Sequence, residues 1–369
     1  MAGQVVTTTF GIEEELLIVD IDSGALAARG ADLLDAARPE LGDLVVSELN
    51  RCQIETNTEV CTSLDEAAAQ LNRLRTGLLK AGQALGLRSV ALASHPWSAW
   101  HDQTVNTDDA HYRTLLADYQ QVARQTVICG CHVHVGIEDP DERIRAMNGV
   151  TAWLPALLAL SANSPWWQGD DTGYASYRTL VWKSWPTATM PPPLADHEAY
   201  LRLVAYLERI EAIDAASALY WHVRPSSRLP TLEFRVTDTC LRVDDAVTIA
   251  GLARALAVTA QRDETQPVDR APTAVLDSAL WRAARYGLTA TLVDPTSATL
   301  RPAKEVLQSM LAVAGPALDD AGDREQVQEG VARILAEGNG ASVQRAVLQA
   351  GPVSPTEAIT AITAPRTGH

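Results

Sequence analysis

The chain is short of several things at once. Only two of its 369 residues are Phe, against nine Trp and eight Tyr, a ratio that carries no functional message. Five cysteines, Cys52, Cys61, Cys129, Cys131 and Cys240, are an odd number spread thinly. They build no disulfide framework, and a reducing cytoplasm is the natural setting. Positive charge is scarce: 30 Lys and Arg stand against 46 Asp and Glu, a formal net charge of −16. Nucleic acids and anionic membranes need a basic footprint, so neither is an expected partner. Long apolar runs are missing as well. The most apolar stretch, residues 150–162, falls short of the roughly 20 residues that span a bilayer and is interrupted by Pro155. The first ten residues lack the basic and apolar regions of a signal peptide. No GxxxxGK[ST] loop, GxGxxG fingerprint, GxSxG elbow or HExxH pair occurs. Any nucleotide must therefore be held by metals and arginines instead of a glycine-rich helix start.

What the chain does contain is a set of acids and imidazoles two residues apart in strand-like runs. Glu13 and Glu15 lie in FGIEEELLIVD, His132 and His134 in ICGCHVHVGI, and Glu233 with Arg235 in TLEFRV. Strand side chains alternate between faces, so each pair leaves its strand on one side. Glu48 and Glu55 add two acids, but their odd separation demands a turn or bulge between them. Carboxylates gathered on one face repel each other unless cations sit among them, which suits Mg2+ or Mn2+. Gly130 and Gly136 flank the histidines on their face and are read as leaving open space for a ligand. Both thiols of Cys129-x-Cys131 alternate to the valine face, away from the histidines, and no second cysteine pair has zinc spacing. Arg178, Arg224 and Arg235 are candidates for binding carboxylate or phosphate groups.

The periodicity predicts a mixed first part. A strand runs on both sides of Gly11, and two short strands flank a turn near Asn50. A helix opens at Ser63 with a Ser63/Glu66 capping box and stops at Gly86. RSVALAS reads as a buried strand, residues 108–126 as a helix, 127–137 as the histidine strand and 141–163 as helical. Residues 164–194 are too rich in Gly, Pro and aromatics for a regular element, and loops of that length are usually functional. A helix over about 196–214 leads to the hairpin LYWHVR/TLEFRV, and beyond residue 243 only helices are predicted. Residues 1–243 would carry the sheet and the chemistry, and 244–369 a helical part of one catalytic domain spanning 1–369.

Taken in order, GIEEE, Glu48 with Glu55, CGCHVHVG, ALSANSPWWQGDDTGYASYR, WHVRP and TLEFRVTD resemble the type 2 glutamate–cysteine ligase family, the carboxylate–amine ligases. The resemblance covers about the first 240 residues. It implies an α+β, glutamine-synthetase-like catalytic fold: a curved, mainly antiparallel sheet with helices packed behind it and a helical C-terminal part. It implies an ATP-dependent ligase that phosphorylates a carboxylate, typically glutamate's γ-carboxylate, and passes the acyl group to cysteine or another amine. By the same resemblance Glu13, Glu15, Glu48, Glu55, His132 and Glu233 are metal ligands. Arg235 then faces the transferring phosphoryl group together with Glu233, Arg178 faces the donor carboxylate, and His134 occupies a neighbouring substrate position. ATP and Mg2+ (or Mn2+) are the implied cofactors, and amino acids or amines the partners. Homo-oligomer formation stays open, with the Trp-rich loop as a candidate contact. Two readings compete from the residues alone: a metal-dependent hydrolase without nucleotide, and a non-catalytic protein binding ATP or an amino acid.

Overall fold

The computed structural model describes residues 8–262, 271–351 and 354–364. Strand β1 (Phe10–Asp20) is followed by α1 (Gly30–Leu41), the pair β2 (Val45–Ser47) and β3 (Gln53–Asn57), and α2 (Leu64–Gln83). Next come β4 (Leu87–Val90), α3 (Ala110–Tyr119), α4 (Gln121–Gln125), β5 (Gly130–Gly136), α5 (Pro140–Val150) and α6 (Leu154–Ser161). The irregular stretch holds a small hairpin, β6 (Trp166–Trp167) with β7 (Asp170–Asp171), and a short helix, α7 (Arg178–Trp182). Helix α8 (His197–Arg209) leads to β8 (Val223–Pro225) and β9 (Thr231–Asp238). The remainder is α9 (Val243–Arg262), α10 (Thr273–Tyr286), the hairpin β10 (Thr291–Asp294) and β11 (Thr299–Pro302), α11 (Ala303–Ala321), α12 (Arg324–Glu337), α13 (Gly340–Leu348) and α14 (Pro355–Thr363).

The sheet runs β2-β3-β1-β5-β9-β8, every pair antiparallel, with β4 beside the second half of β1. One face is plugged by helices. Ile12 of β1, Val133 and Val135 of β5, and Leu232, Phe234 and Val236 of β9 share a core with α5, α6, α9 and α11. Further along, Leu16, Ile18 and Ile54 pack on α1 and α2. The opposite face is open where β1 carries Glu13 and Glu15. It closes farther on, where Leu17 and Val19 lie under Ile359 and Ile362 of α14. That contrast confines the acids to one end of the sheet.

The structure differs from the sequence reading in definable places. Residues 108–126 form two helices because Gln120 takes a positive φ of 47°, which no α-helix continues through. The helical stretch 141–163 is divided by a 3-10 turn ahead of Pro155. The strand at RSVALAS ends at Val90. Helix α1 and the β10/β11 hairpin were not predicted. In the capping region of α2, Ser63 accepts from the Glu66 amide as expected, but the Glu66 carboxylate turns back to the Thr62 amide. The part of the predicted first strand before residue 8 lies outside the described residues. No described helix is long and apolar enough to cross a membrane.

Candidate active site

Strand register assembles the site. Across β1 and β5, Glu13 stands opposite His132; across β1 and β3, Glu15 stands opposite Glu55. His134 faces Glu233 across β5 and β9, and Glu233 faces Arg224 across β9 and β8. Glu48 lies beyond β2, and the turn at residues 51–52 brings it onto the face of Glu55 despite the odd spacing. Two groups of candidate ligand atoms result, each within 4.8 Å: Glu13, His134 and Glu233 in one, Glu15, Glu48 and Glu55 in the other. His132 sits between them, with Nδ1 3.2 Å from Glu13 Oε2 and Nε2 3.8 Å from Glu15 Oε1. His134 Nε2 lies 3.1 Å from Glu13 Oε1. The third acid of GIEEE turns away: Glu14 is fully buried on the helical side in a two-pronged pair with Arg75 at 2.6 and 2.9 Å.

The electrostatics divide the acids. Burial raises Glu13, but hydrogen bonds and charge from His132 and His134 hold its carboxyl well below the ordinary range. Glu233, likewise buried, is held low by Arg235 and Arg224. For Glu48 the Leu49 amide, donating at 2.8 Å, and the charge of Arg235 are too little to offset its surroundings. Burial and the neighbouring Glu15 push it up to about 8, and Glu55 is driven up by burial and by Glu13, Glu48 and Glu15. Against the effect of burial, Glu13 and Glu233 draw His134 above its usual range, while burial and Arg235 lower His132. A carboxylate group so short of positive charge fits hard divalent cations, and an all-oxygen trio beside an oxygen-and-imidazole trio is a donor set for Mg2+ or Mn2+.

The three arginines occupy different places. Arg224 spends its guanidinium on Glu233 (2.8 and 3.3 Å) and on the Ser217 and Leu219 carbonyls, so it braces Glu233. Arg235 also pairs with Glu233 and lies over the Trp182 ring, 5.5 Å from its centroid. Arg178 is buried at the start of α7 and lies across Gly130, where a Cβ would stand 2.3 Å from its Nη2. The space predicted above the glycines is therefore filled from inside the chain, by Arg178 at Gly130 and by Thr9 at Gly136. The Cys-x-Cys thiols, read as sharing one face, part company. Cys131 joins the helical core, and Cys129 packs with Leu17 and Cys52. All five cysteines are buried and unpaired.

Two features escaped the sequence reading. Between Cys131 and Val133 the β5/β9 register shifts by one, and this brings Asp238 opposite Gly130. There Asp238 accepts from the Asn163 amide (2.8 Å), Ser164 Oγ (2.7 Å) and Ser176 Oγ (2.8 Å), and lies 3.9 Å from Arg178 Nη1. The odd separation of Asp238 from Arg235 hides this unless the bulge is known. Tyr112 of α3 is the second: its hydroxyl donates to Ser47 O, and beyond burial the charges of Glu48 and Glu55 raise its pKa.

Two solved structures share this arrangement of chain. A glutamate–cysteine ligase from Francisella tularensis, in complex with AMP, matches with a TM-score of 0.71 at 14% identity, over 97% of this chain and 87% of that one. A bifunctional glutathione synthetase from Pasteurella multocida matches with a TM-score of 0.68 at 17% identity; 96% of this chain is covered, but only 52% of that longer one. The fold is glutamine-synthetase-like, and family membership makes the chain an ATP-dependent carboxylate–amine ligase. A protein of Mycolicibacterium smegmatis named "Putative glutamate--cysteine ligase 2-2" is 42% identical over 347 residues, 92% of this chain and 86% of that protein. One of Paracoccus denitrificans is 39% identical over 92% of this chain. Residues 9–364 match the model of glutamate–cysteine ligase family 2, and the chain belongs to that family.

Proposed function

We propose that the chain joins glutamate, through its γ-carboxylate, to an amino acid or amine, cysteine among the candidates, by way of an acyl phosphate. A donor carboxylate oxygen attacks the γ-phosphorus of ATP and ADP leaves. The acceptor nitrogen then attacks the acyl carbon, phosphate departs, and the nitrogen loses its proton to leave an amide. The supporting observation is the convergence of Glu13, Glu15, Glu48, Glu55, His132, His134 and Glu233 on one sheet face beside Arg178 and Arg235. On this reading Glu13, His134 and Glu233 would hold one divalent cation and Glu15, Glu48 and Glu55 another, with His132 between. Such cations neutralise phosphate charge and polarise the transferring group. The chain's own part is to aim Arg235 at that group, to seat the donor carboxylate against Arg178, and to keep both reactants in line. The same reading takes residues 1–369 as one catalytic domain, since the largest apolar core draws on both the sheet and the helices beyond residue 243.

Incubation with ATP, Mg2+, glutamate and pooled amines tests this. ADP and a new γ-glutamyl amide mass are expected, both dependent on the amine and the metal. Amide hydrolysis without ADP would move the site to the hydrolases, and ATP binding without turnover would make it a binding module.

A further inference from the structure

His222 stands immediately before β8, and its side chain is used by nothing described so far. It is 2% exposed, and its Nδ1 is buried without a hydrogen-bond partner among the described residues. Its backbone is paired: the amide donates to Thr189 O at 3.2 Å, and the carbonyl accepts from the Arg235 amide at 2.9 Å. His222 is thus the cross-strand neighbour of Arg235, one step along from the Val223–Phe234 and Arg224–Glu233 pairs. Side chains directly opposite on an antiparallel pair leave the sheet together. Arg178 reaches the same place from α7, its guanidinium donating to the Arg235 and Val236 carbonyls at 3.3 and 3.4 Å. Burial together with Arg178, Lys183 and Arg235 pulls the ring pKa down to about 3, so the imidazole is neutral at physiological pH.

The nitrogens left over are the telling detail. Arg178 Nε and Arg235 Nε are also buried and unpartnered among the described residues. Three nitrogens without partners, two of them on cations, therefore belong to residues that adjoin at one end of β8 and β9, Arg235 being bonded through its backbone to both His222 and Arg178. Buried polar groups are ordinarily satisfied, and two unpaired guanidinium N–H groups beside an imidazole nitrogen able to carry a proton have the composition of an oxyanion seat awaiting its ligand. A neutral imidazole suits that place, since it offers an N–H without adding a third charge to two arginines.

We propose that His222 is a substrate-binding residue, donating from Nδ1 to an oxyanion of the substrate held between Arg178 and Arg235. This rests on the ligase reading above. The oxyanion has two sources there, the donor amino acid's carboxylate and the transferring phosphoryl group, and kinetics separate them. His222→Leu removes the donor. His222→Asn keeps an amide N–H near the position of Nδ1, whereas His222→Gln carries one near that of Nε2. For a carboxylate ligand, His222→Leu raises the glutamate KM about tenfold, the equivalent of one lost hydrogen bond. The ATP KM then stays within about twofold, and His222→Asn recovers more than His222→Gln. A matching rise in the ATP KM, with the glutamate KM unmoved, assigns His222 to the phosphoryl group instead. Equal, small changes in all three variants overturn the proposal. Calorimetry with glutamate and with inorganic phosphate as probes reads the same seat without turnover. If the wild type binds a probe and His222→Leu binds it equally well, His222 is no ligand contact, whatever the reaction proves to be. A circular dichroism melt within a few degrees of wild type shows that His222→Leu has folded.

Discussion

At the scale of single residues, the acids are a liability that only cations relieve. Glu48 and Glu55 lie beside Glu13 and Glu15, and the guanidinium that acts on Glu48, that of Arg235, is already engaged by Glu233. Glu55→Gln deletes one charge from that group at nearly constant shape. The metal-free protein is expected to melt no lower than wild type, while the rise in melting temperature on adding Mg2+ shrinks and turnover falls by roughly two orders of magnitude. A variant that still gains its full Mg2+ shift would remove Glu55 from the ligand set. Gly130→Ala probes the arginine side. The new Cβ would meet Arg178 Nη2 at 2.3 Å and Cζ at 2.9 Å, so the guanidinium must move. A glutamate KM raised about tenfold is expected, with a stability loss of about 1–3 kcal/mol by urea unfolding. The same-face pairs Glu13/Glu15, His132/His134 and Glu233/Arg235 could be read from the chain because strand alternation has a strict period of two. Asp238 and His222 could not. The first is displaced by a bulge, and the second matters only through partners 44 and 13 residues away, Arg178 and Arg235, whose side chains no local pattern aims.

At the scale of elements, the irregular stretch 164–178 is a clamp. Asp238 at the end of β9 ties Ser164 and Ser176 together from the two ends of the β6/β7 segment, and Ser164 Oγ accepts from the Arg178 amide at 3.0 Å. Helix α13 locks it from outside. Arg345 grips Asp171 through Nε and Nη2 at 2.9 and 2.6 Å, and Gln344 donates to Asn163 O and Oδ1. The first turns of α13 therefore hold the loop in place as well as following α12. Asp238→Ala strands three buried donors and is expected to cost about 3 kcal/mol or more, with proteolytic nicking between residues 164 and 178. Asp238→Asn keeps one acceptor oxygen and should lose less; equal losses would mean that the charge, not the hydrogen bonds, carries the clamp. Helix α1 was illegible for a related reason. Its start at Arg29 has no capping side chain and Pro39 lies within its last turn, so the segment lacks a start signal and carries a breaker although Leu33, Ala37 and Leu41 pack on α2 and the sheet. The β10/β11 hairpin is short and its outer strand is largely exposed, so it leaves no run of alternating apolar residues to read.

At the scale of the whole molecule, the buried titratable groups make stability depend on pH in a way that metal should reverse. Glu48, at about 8 when folded, and Glu55, also raised, hold more protons in the folded chain than in the unfolded one, where glutamate titrates near 4.5. Stability from these acids is present below about pH 4.5 and is lost as pH rises toward 8. His95 and His222 act in the opposite sense. Burial lowers them to about 4 and about 3, so the unfolded chain takes up their protons first, and their contribution fades as pH falls below about 6.5. Toward pH 8 these two histidines become neutral in both states, and His134, itself raised by Glu13 and Glu233 against burial, gives up its proton in the same sense as the acids. In EDTA, the urea midpoint should therefore fall from pH 6.5 to 8, the unfolding free energy dropping by on the order of 1 kcal/mol per pH unit for each acid. Saturating Mg2+ binds the ionised carboxylates and should flatten that slope, so its stabilising effect is largest at pH 8 and least at pH 6.5. If the midpoint held level in EDTA, Glu48 and Glu55 would already be ionised and compensated without metal, and the cation sites would lose their electrostatic reason.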